Sequence, residues 1–232
     1  MILFFGPSTS LGINMVDIWW LGQACFRVKG KNVSVVFDPY DSGFTGLTKL
    51  KVEGDIVCVS HSHQDHNFVE AVSTSEGGQP FVISGPGEYE KSGVNIVGIS
   101  GFHDDQAGSQ RGKNTIYNMA VEGVNIVHMG DFGQKKLTQE QVEQLSNCDV
   151  LLIPVGSIYT ISGREAPDII SQIEPKIIVP MHYKIDGLKF DLEPVNVFLS
   201  AMGKEGLEPQ TKLSVSHERL PAEPEVVLLA KQ

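Results

Sequence analysis

Apolar and β-branched residues in the first half of the chain come in short runs that turn residues interrupt. Asp17–Leu21, Ala24–Val28, Val33–Phe37 and Ile56–Ser60 read as strands, with turns at Gly30-Lys31-Asn32 and Asp38-Pro39. Phe81–Ile83, Val94–Val97, Thr115–Val121 and Val124–His128 continue the pattern, punctuated by Gly85-Pro86-Gly87 and Glu122-Gly123. The second half alternates instead. Thr138 with Gln141 three residues on signals a capped helix, Val150–Pro154 a buried strand, and Glu165–Ile173 a helix. Ile177–Pro180 then reads as a strand and Pro194–Met202 as a helix that Gly203 ends.

Two stretches resemble each other across the halves. Val35-Val36-Phe37-Asp38 precedes Asp55-Ile56-Val57-Cys58-Val59, much as Ile126–Asp131 precedes Asp149–Ile153. This hints at two related β-rich halves in one sandwich, although any two Val- and Ile-rich strand pairs look alike. No linker-like or low-complexity stretch divides the chain. Met15 opens the first clear strand, so residues 1–14 are expected to form an N-terminal extension and 15–232 a single domain. The opening Met1–Phe5 has no basic flank and turns at once into Gly6-Pro7, too short for a signal peptide or a membrane span. The expected location is the cytoplasm, with no membrane partner.

Composition narrows the function classes. Hydrophobic residues make up 41% and charged residues 20% of the 232 positions, so disorder and coiled coil are excluded as the main architecture. Lys and Arg number 18 against 28 Asp and Glu, a formal net charge of −10. Such a chain has no general attraction to nucleic acid, which is an unfavoured partner without a local basic patch. Cys25, Cys58 and Cys148 are far apart and form no C-x-x-C pair, so they read as buried small hydrophobes in a reducing compartment.

The informative segment is His61-Ser62-His63-Gln64-Asp65-His66, directly after the apolar run Ile56–Ser60. Imidazole plus carboxylate is a ligand set for zinc, iron or manganese. Four such side chains can face one cleft where a strand ends in a turn that starts a helix. His61 and His63, two apart, can point to one ion in an extended or tightly turned backbone, leaving Asp65 and His66 for a neighbour. Further ligands must come from His103, His128, His182, His217 or Asp131.

An ordered series of motifs carries a resemblance. Trp20-Leu21-Gly22-Gln23-Ala24, Phe37-Asp38-Pro39, the His61–His66 cluster, His128-Met129-Gly130-Asp131 and Ile178-Val179-Pro180-Met181-His182-Tyr183 together resemble the metallo-β-lactamase superfamily. Within it, the chain resembles the compact L-ascorbate-6-phosphate-lactonase-like hydrolases. The resemblance implies an α/β (α+β) fold, a four-layer αββα sandwich with the metals at one edge. It implies His61, His63 and His103 on a first metal, Asp65, His66 and His182 on a second, and Asp131 bridging. His128 competes with His103 for the first metal; lying three residues before Asp131, it fits better beneath the site. Asp38 is expected to lie under the cluster and orient ligand imidazoles. His217, in the polar segment Ser214–Arg219, reads as a surface residue.

The chemistry implied is hydrolysis. Two divalent ions, zinc by default with manganese or iron close behind, acidify a shared water to a bridging hydroxide and stabilise the developing oxyanion. Asp65 or Asp131 is the candidate for proton transfer to the leaving group, in competition with ligation. Arg111, Lys113, Tyr183 and Lys184, on loops near the ligands, are candidates to receive an anionic substrate. The favoured substrate is a small anionic ester, lactone or phosphate ester. A broad nuclease or weak β-lactamase is the alternative, and a non-catalytic metal-binding protein a third. The chain lacks room for the large cap of the nucleic-acid-processing branch. The diiron oxygen reductases of this fold match poorly, since they carry Glu where His63 stands. A homo-oligomer is left open.

Overall fold

The computed structural model describes residues 14–232, so the expected extension at 1–14 lies, apart from residue 14, outside the described residues. In chain order the strands are β1 (Val16–Gly22), β2 (Cys25–Lys29), β3 (Ser34–Phe37), β4 (Val52–Glu53), β5 (Ile56–Val59), β6 (Val72–Ser73), β7 (Phe81–Ser84) and β8 (Gly87–Lys91). They continue with β9 (Val94–Phe102), β10 (Lys113–Val121), β11 (Val124–His128), β12 (Val150–Pro154), β13 (Ile177–Met181), β14 (Leu213–Val215) and β15 (Glu225–Val226). The helices are α1 (Ser42–Thr45), α2 (Gln139–Leu145), α3 (Ala166–Ile173) and α4 (Asn196–Ala201).

Two mixed sheets face each other. The first runs β14-β1-β2-β3-β5-β7 and the second β15-β13-β12-β11-β10-β9-β8, with β4 and β6 pairing separately. Between them lies one core to which Ile18, Trp20, Phe26, Phe37 and Ile56 of the first sheet and Ile96, Ile116, Met119, Ile126 and Leu151 of the second contribute. Fully burying one such side chain is worth about 1.5–3 kcal/mol, so this interface dominates the stability. Helices α3 and α4 join the same cluster through Ile169, Ile173, Phe198 and Leu199, which explains why β12 and β13 are buried at every position. The other face of the first sheet is thinner. Val36, Val57 and Val59 are covered there by Tyr40, Leu47, Leu188 and Leu192 from loops, and the short α1 is the helix on that side. The expected αββα sandwich is present, with one of its outer layers built mostly of loops.

The internal repeat is visible in the topology. Strands β1-β2-β3-β5-β7 pair antiparallel, antiparallel, parallel, parallel, and β9-β10-β11-β12-β13 do the same. One aspartate ties each half together. Asp55 accepts from the Ser34 backbone N–H and Asp149 from that of Asn125, each at 2.8 Å. The main chain repeats the match: Asp55 N–H donates to Ser34 O and Asp149 N–H to Asn125 O.

Three expectations are corrected. The His61–His66 segment does not start a helix: it is a run of turns, held by backbone bonds from Asp41 to Gln64 O and from Phe68 to Pro39 O, and only a single 3₁₀ turn, Val69–Ala71, follows. Gly87 opens β8, an edge strand whose exposed polar side chains hid it from an apolar pattern. The polar stretch around Ser214 is no loose tail. Leu213 and Val215 are buried in β14 beside β1, and β15 extends the other sheet, while His217 itself is exposed.

Candidate metal centre

Every expected ligand follows the carboxyl end of a strand that points to the same edge. Residues 61–66 follow β5, His103 follows β9, Asp131 follows β11 and His182 follows β13. Because β9 and β11 both run antiparallel to β10, their ends coincide, and β12 and β13 run parallel to β11. Parallel strands open a crevice at their carboxyl ends, and the cluster occupies that crevice. Backbone strain collects there. Gln23, Asp38 and His182 hold φ of +51°, +44° and +52°, a region sparsely populated by non-glycine residues and concentrated at functional sites.

The ligand-type atoms fall into two groups, His61 with His63 and His103, and Asp65 with His66, Asp131 and His182. Within each group they lie within 4.8 Å of one another. Asp131 Oδ2 is the hub: it lies 3.2 Å from Nε2 of both His66 and His103, 3.4 Å from that of His182 and 3.9 Å from that of His61. The second group is buried throughout, whereas His63 opens to solvent.

Hydrogen bonds set which imidazole nitrogen is bare. Asp38, buried, accepts from the Ser60 backbone N–H (2.7 Å), the Ser60 hydroxyl (2.6 Å) and His66 Nδ1–H (2.9 Å). The Ser60 hydroxyl, spent on Asp38, therefore accepts from His61 Nδ1–H at 2.9 Å. With Nδ1 engaged, each imidazole in its neutral form presents Nε2 to the cluster, that of His66 3.2 Å from Asp131 and that of His61 3.0 Å from His63 Nδ1. Orienting a ligand imidazole through its other nitrogen is the usual way of fixing a metal site.

His128 differs. Its Nε2–H donates to Ala24 O at 2.7 Å, its Nδ1 accepts from Gly130 N–H, and its ring stacks on Phe37 at 4.8 Å. Both nitrogens are used, so no lone pair remains for an ion. It packs beneath the cluster, while His103 lies among the first group of ligand-type atoms.

Charge is balanced in favour of a cation. Burial opposes a proton on His66, yet Asp131, Asp65 and Asp38 outweigh it and push its pKa well above the usual range. Burial and then the neighbouring His66 push His61 down to about 3. Desolvation would raise Asp65 and Asp131, but His66 beside Asp65, and His182 and His66 beside Asp131, hold both carboxyls below their usual range. His66 Nε2 and Asp131 Oδ1 are buried and have no hydrogen-bond partner. Buried polar groups of this kind ordinarily find a partner. Orphaned atoms, converging bare nitrogens and two carboxylates fit divalent transition metals.

Some contributors escaped the sequence reading. Gln23 Nε2–H donates to Asp65 Oδ2 at 3.2 Å, and Asn114 Oδ1 accepts from Asp131 N–H at 2.9 Å. Gly130, at φ +58°, passes so close to Asn114 Oδ1 and Ser60 that a Cβ there would clash with both. Gln23 lies inside a quoted motif, but no residue type at that place names its task.

A cavity of about 940 Å³ opens over the cluster, with His63, Asp65, His103, Asp131 and His182 on its floor and Arg111 at its side. Of the four candidates to receive an anion, only Arg111 lines this cavity. Lys113 projects to solvent from β10. Tyr183 is buried in the core against Trp20, with ring centroids 4.8 Å apart. Lys184 donates to Phe190 O and Asp191, bracing its own loop.

Comparison with known proteins agrees with this architecture. Residues 17–182 match the family model described as beta-lactamase superfamily domain. A metal-dependent hydrolase of Thermoplasma volcanium is 28% identical over 220 residues, covering 85% of this chain and 97% of the relative. One from Methanoculleus marisnigri is 30% identical over 71% of this chain and 79% of its own length. A crystal structure of a metallo-β-lactamase superfamily protein from Thermotoga maritima, to which zinc-dependent hydrolysis is attributed, superposes with a TM-score of 0.72. It is 35% identical and covers 92% of this chain and 98% of its own. With its paired sheets, its edge cluster of histidines and aspartates, and these matches, the chain belongs to the metallo-β-lactamase superfamily and groups with its metal-dependent hydrolases.

Proposed function

We propose that the chain is a dinuclear hydrolase of a small ester, lactone or phosphate ester that carries an anionic group. The observation that carries this reading is the placement of Asp131 beside two clusters of ligand-type atoms, under a cavity lined by Arg111, a half-buried cation whose Nη1 is itself buried without a partner. His61, His63 and His103 would hold one ion, Asp65, His66 and His182 the other, and Asp131 both. Zinc is the default for so nitrogen-rich a set, with manganese or iron compatible with the carboxylates. When bound, such a pair supplies a water-derived nucleophile at neutral pH and stabilises negative charge developing on the substrate.

The chain's own residues do the rest. Asp38 and Ser60 keep His66 and His61 in the tautomer that presents Nε2. Asp65, steadied by the Gln23 amide, and Asp131 remain ionised and are the groups able to accept a proton and return it to the leaving oxygen. Arg111 receives the anionic group. Its backbone is fixed because Asp104 accepts from the N–H groups of Gln106, Gly108, Gln110 and Arg111. The three buried, unpaired cysteines suit a reducing, cytoplasmic setting. Among the described residues no helix is long and apolar enough to cross a membrane.

Two measurements test the proposal. Elemental analysis is expected to find close to two ions per chain, with a loss in Asp131→Ala; one ion in the unaltered protein overturns the dinuclear site. Sugar-phosphate lactones, phosphodiesters, a chromogenic β-lactam and single-stranded RNA, each compared with chelated protein, are expected to give the highest kcat/KM on a small anionic ester or lactone. Faster, salt-sensitive cleavage of RNA would replace this reading with a nuclease.

A further inference from the structure

We propose that the cavity mouth is a subsite for an aryl group, so that the substrate carries an aromatic substituent as well as its anion; this rests on the small-ester reading above. Three aromatic rings from distant segments meet there. Phe44 comes from α1, Tyr159 from the loop after β12 and Phe190 from the loop after β13, and all three line the cavity. The Phe44–Phe190 and Tyr159–Phe190 centroid distances are 5.9 and 6.1 Å, within the range of favourable aromatic pairs.

Their exposure is the unusual feature. Phe44 and Tyr159 are 44% and 38% exposed, and they stand among the few large hydrophobic side chains left in water by the described residues. Exposed apolar side chains that cluster, rather than scatter singly, mark a binding surface. The backbone also works to display them. Ser157 and Ile158, immediately before Tyr159, hold consecutive left-handed φ of +57° and +47°, a costly conformation for a β-branched residue. On the other side, Lys184 Nζ donates to Phe190 O and pins that residue's backbone.

Cationic and aromatic elements are joined. The Arg111 guanidinium lies over the Tyr159 ring, 5.0 Å from its centroid, and its Nη1 is buried without a hydrogen-bond partner. A ligand with a flat apolar ring and an adjacent anion satisfies both: the ring covers Phe44 and Phe190 while a carboxylate or phosphoryl oxygen takes the vacant donor. A cavity of about 940 Å³ holds such a molecule with its reactive group on the histidine floor.

The test uses two phosphonates of the same charge, phenylphosphonate and methylphosphonate, titrated calorimetrically into the metal-loaded protein. Burying one ring against the aromatic wall is expected to favour phenylphosphonate by about tenfold or more. Phe190→Ala and Phe44→Ala are each expected to reduce that ratio at least threefold while methylphosphonate binding stays within twofold. Phe44, being exposed, can be removed without threatening the fold should Phe190→Ala misfold. Equal affinity of the unaltered protein for the two phosphonates, or a ratio untouched in both variants, overturns the subsite. The two readings fail separately. No turnover of any small ester alongside a retained phenyl preference sinks the hydrolase reading alone, and turnover without the preference sinks the subsite alone.

Discussion

Asp38 shows how one carboxylate orders a site it does not join. By accepting from His66 directly and from His61 through Ser60, it engages both Nδ1 atoms and turns both Nε2 atoms toward the cluster. The same carboxylate, with Asp131 and Asp65, keeps a proton on His66 well above its ordinary titration range in metal-free protein. A ligand imidazole must be neutral, so metal uptake has to expel that proton. Calorimetry of zinc binding at pH 7, in buffers of different ionisation enthalpy, is expected to report about one proton released per chain, and no buffer dependence would contradict it. The sign follows from the raised pKa: His66 stabilises the metal-free fold below its unfolded pKa of about 6.5, and that contribution fades as pH climbs through the folded value.

His103 and His128 give the sharpest contrast between two residues of one type. His103→Ala is expected to lower metal content with little change in melting temperature of the chelated protein. His128→Ala, which removes a buried ring stacked on Phe37 and its bond to Ala24, is expected to cost about 3 kcal/mol while metal content is retained. Metal counts beside thermal melts decide, and the reverse pattern would exchange their roles. Their fates were only half legible in the sequence. The residue types marked both as candidates, but the lone pairs that separate them depend on Ala24, which only packing brings near, and on the turn that folds Gly130 N–H back onto His128.

Among elements, the loop between β9 and β10 is the most informative. Asp104 gathers four backbone N–H groups, and they outweigh the cost of desolvating the carboxylate, holding its pKa at about 2. Since the loop carries His103 at one end and Arg111 at the other, Asp104→Ala is expected to speed hydrogen exchange across residues 105–112 and to weaken binding of anionic substrate analogues. Unchanged exchange there would mean the loop is held by other contacts. The turn after β11 has no such slack. In Gly130→Ala the new Cβ meets Asn114 and Ser60 at a left-handed φ, and a loss of about 3 kcal/mol or more is expected in denaturant melts. The run His61–His66 was legible as a ligand string, yet it was expected to lead into a helix; the turns that replace it are tied to another segment, Asp41 N–H donating to Gln64 O and, just beyond the run, Phe68 N–H to Pro39 O.

At the scale of the molecule, the candidate site clasps the open edge of the sandwich. Its groups come from the first sheet through residues 61–66 and from the second through His103, Asp131 and His182. Metal held by both sheets would bind the folded state alone. Chelation is therefore expected to lower stability by about 3–4 kcal/mol, corresponding to free metal some hundredfold to thousandfold above its dissociation constant. For a chain of this size that is a fall in Tm of about 6–16 °C, read by calorimetry with and without chelator. A melting temperature indifferent to metal would argue that the two sheets alone define the edge.

Local sequence marked the longer apolar strands, the capped helix at Thr138 and the ligand string His61–His66, and it hinted at the internal repeat, because apolar runs, turn residues and imidazole spacing are short-range properties; the polar edge strand β8 and the short β4, β6, β14 and β15 left no such mark. The structure extends the likeness of the two stretches to Asp55 and Asp149, which make matching bonds. Tertiary structure alone decided which imidazole nitrogens are bare, that Arg111 reaches the cavity while Lys113, Tyr183 and Lys184 do not, and that Phe44, Tyr159 and Phe190 share its mouth. Most of those outcomes rest on contacts between segments tens of residues or more apart. Such contacts arise where strand ends converge on one edge, and no window along the chain contains them.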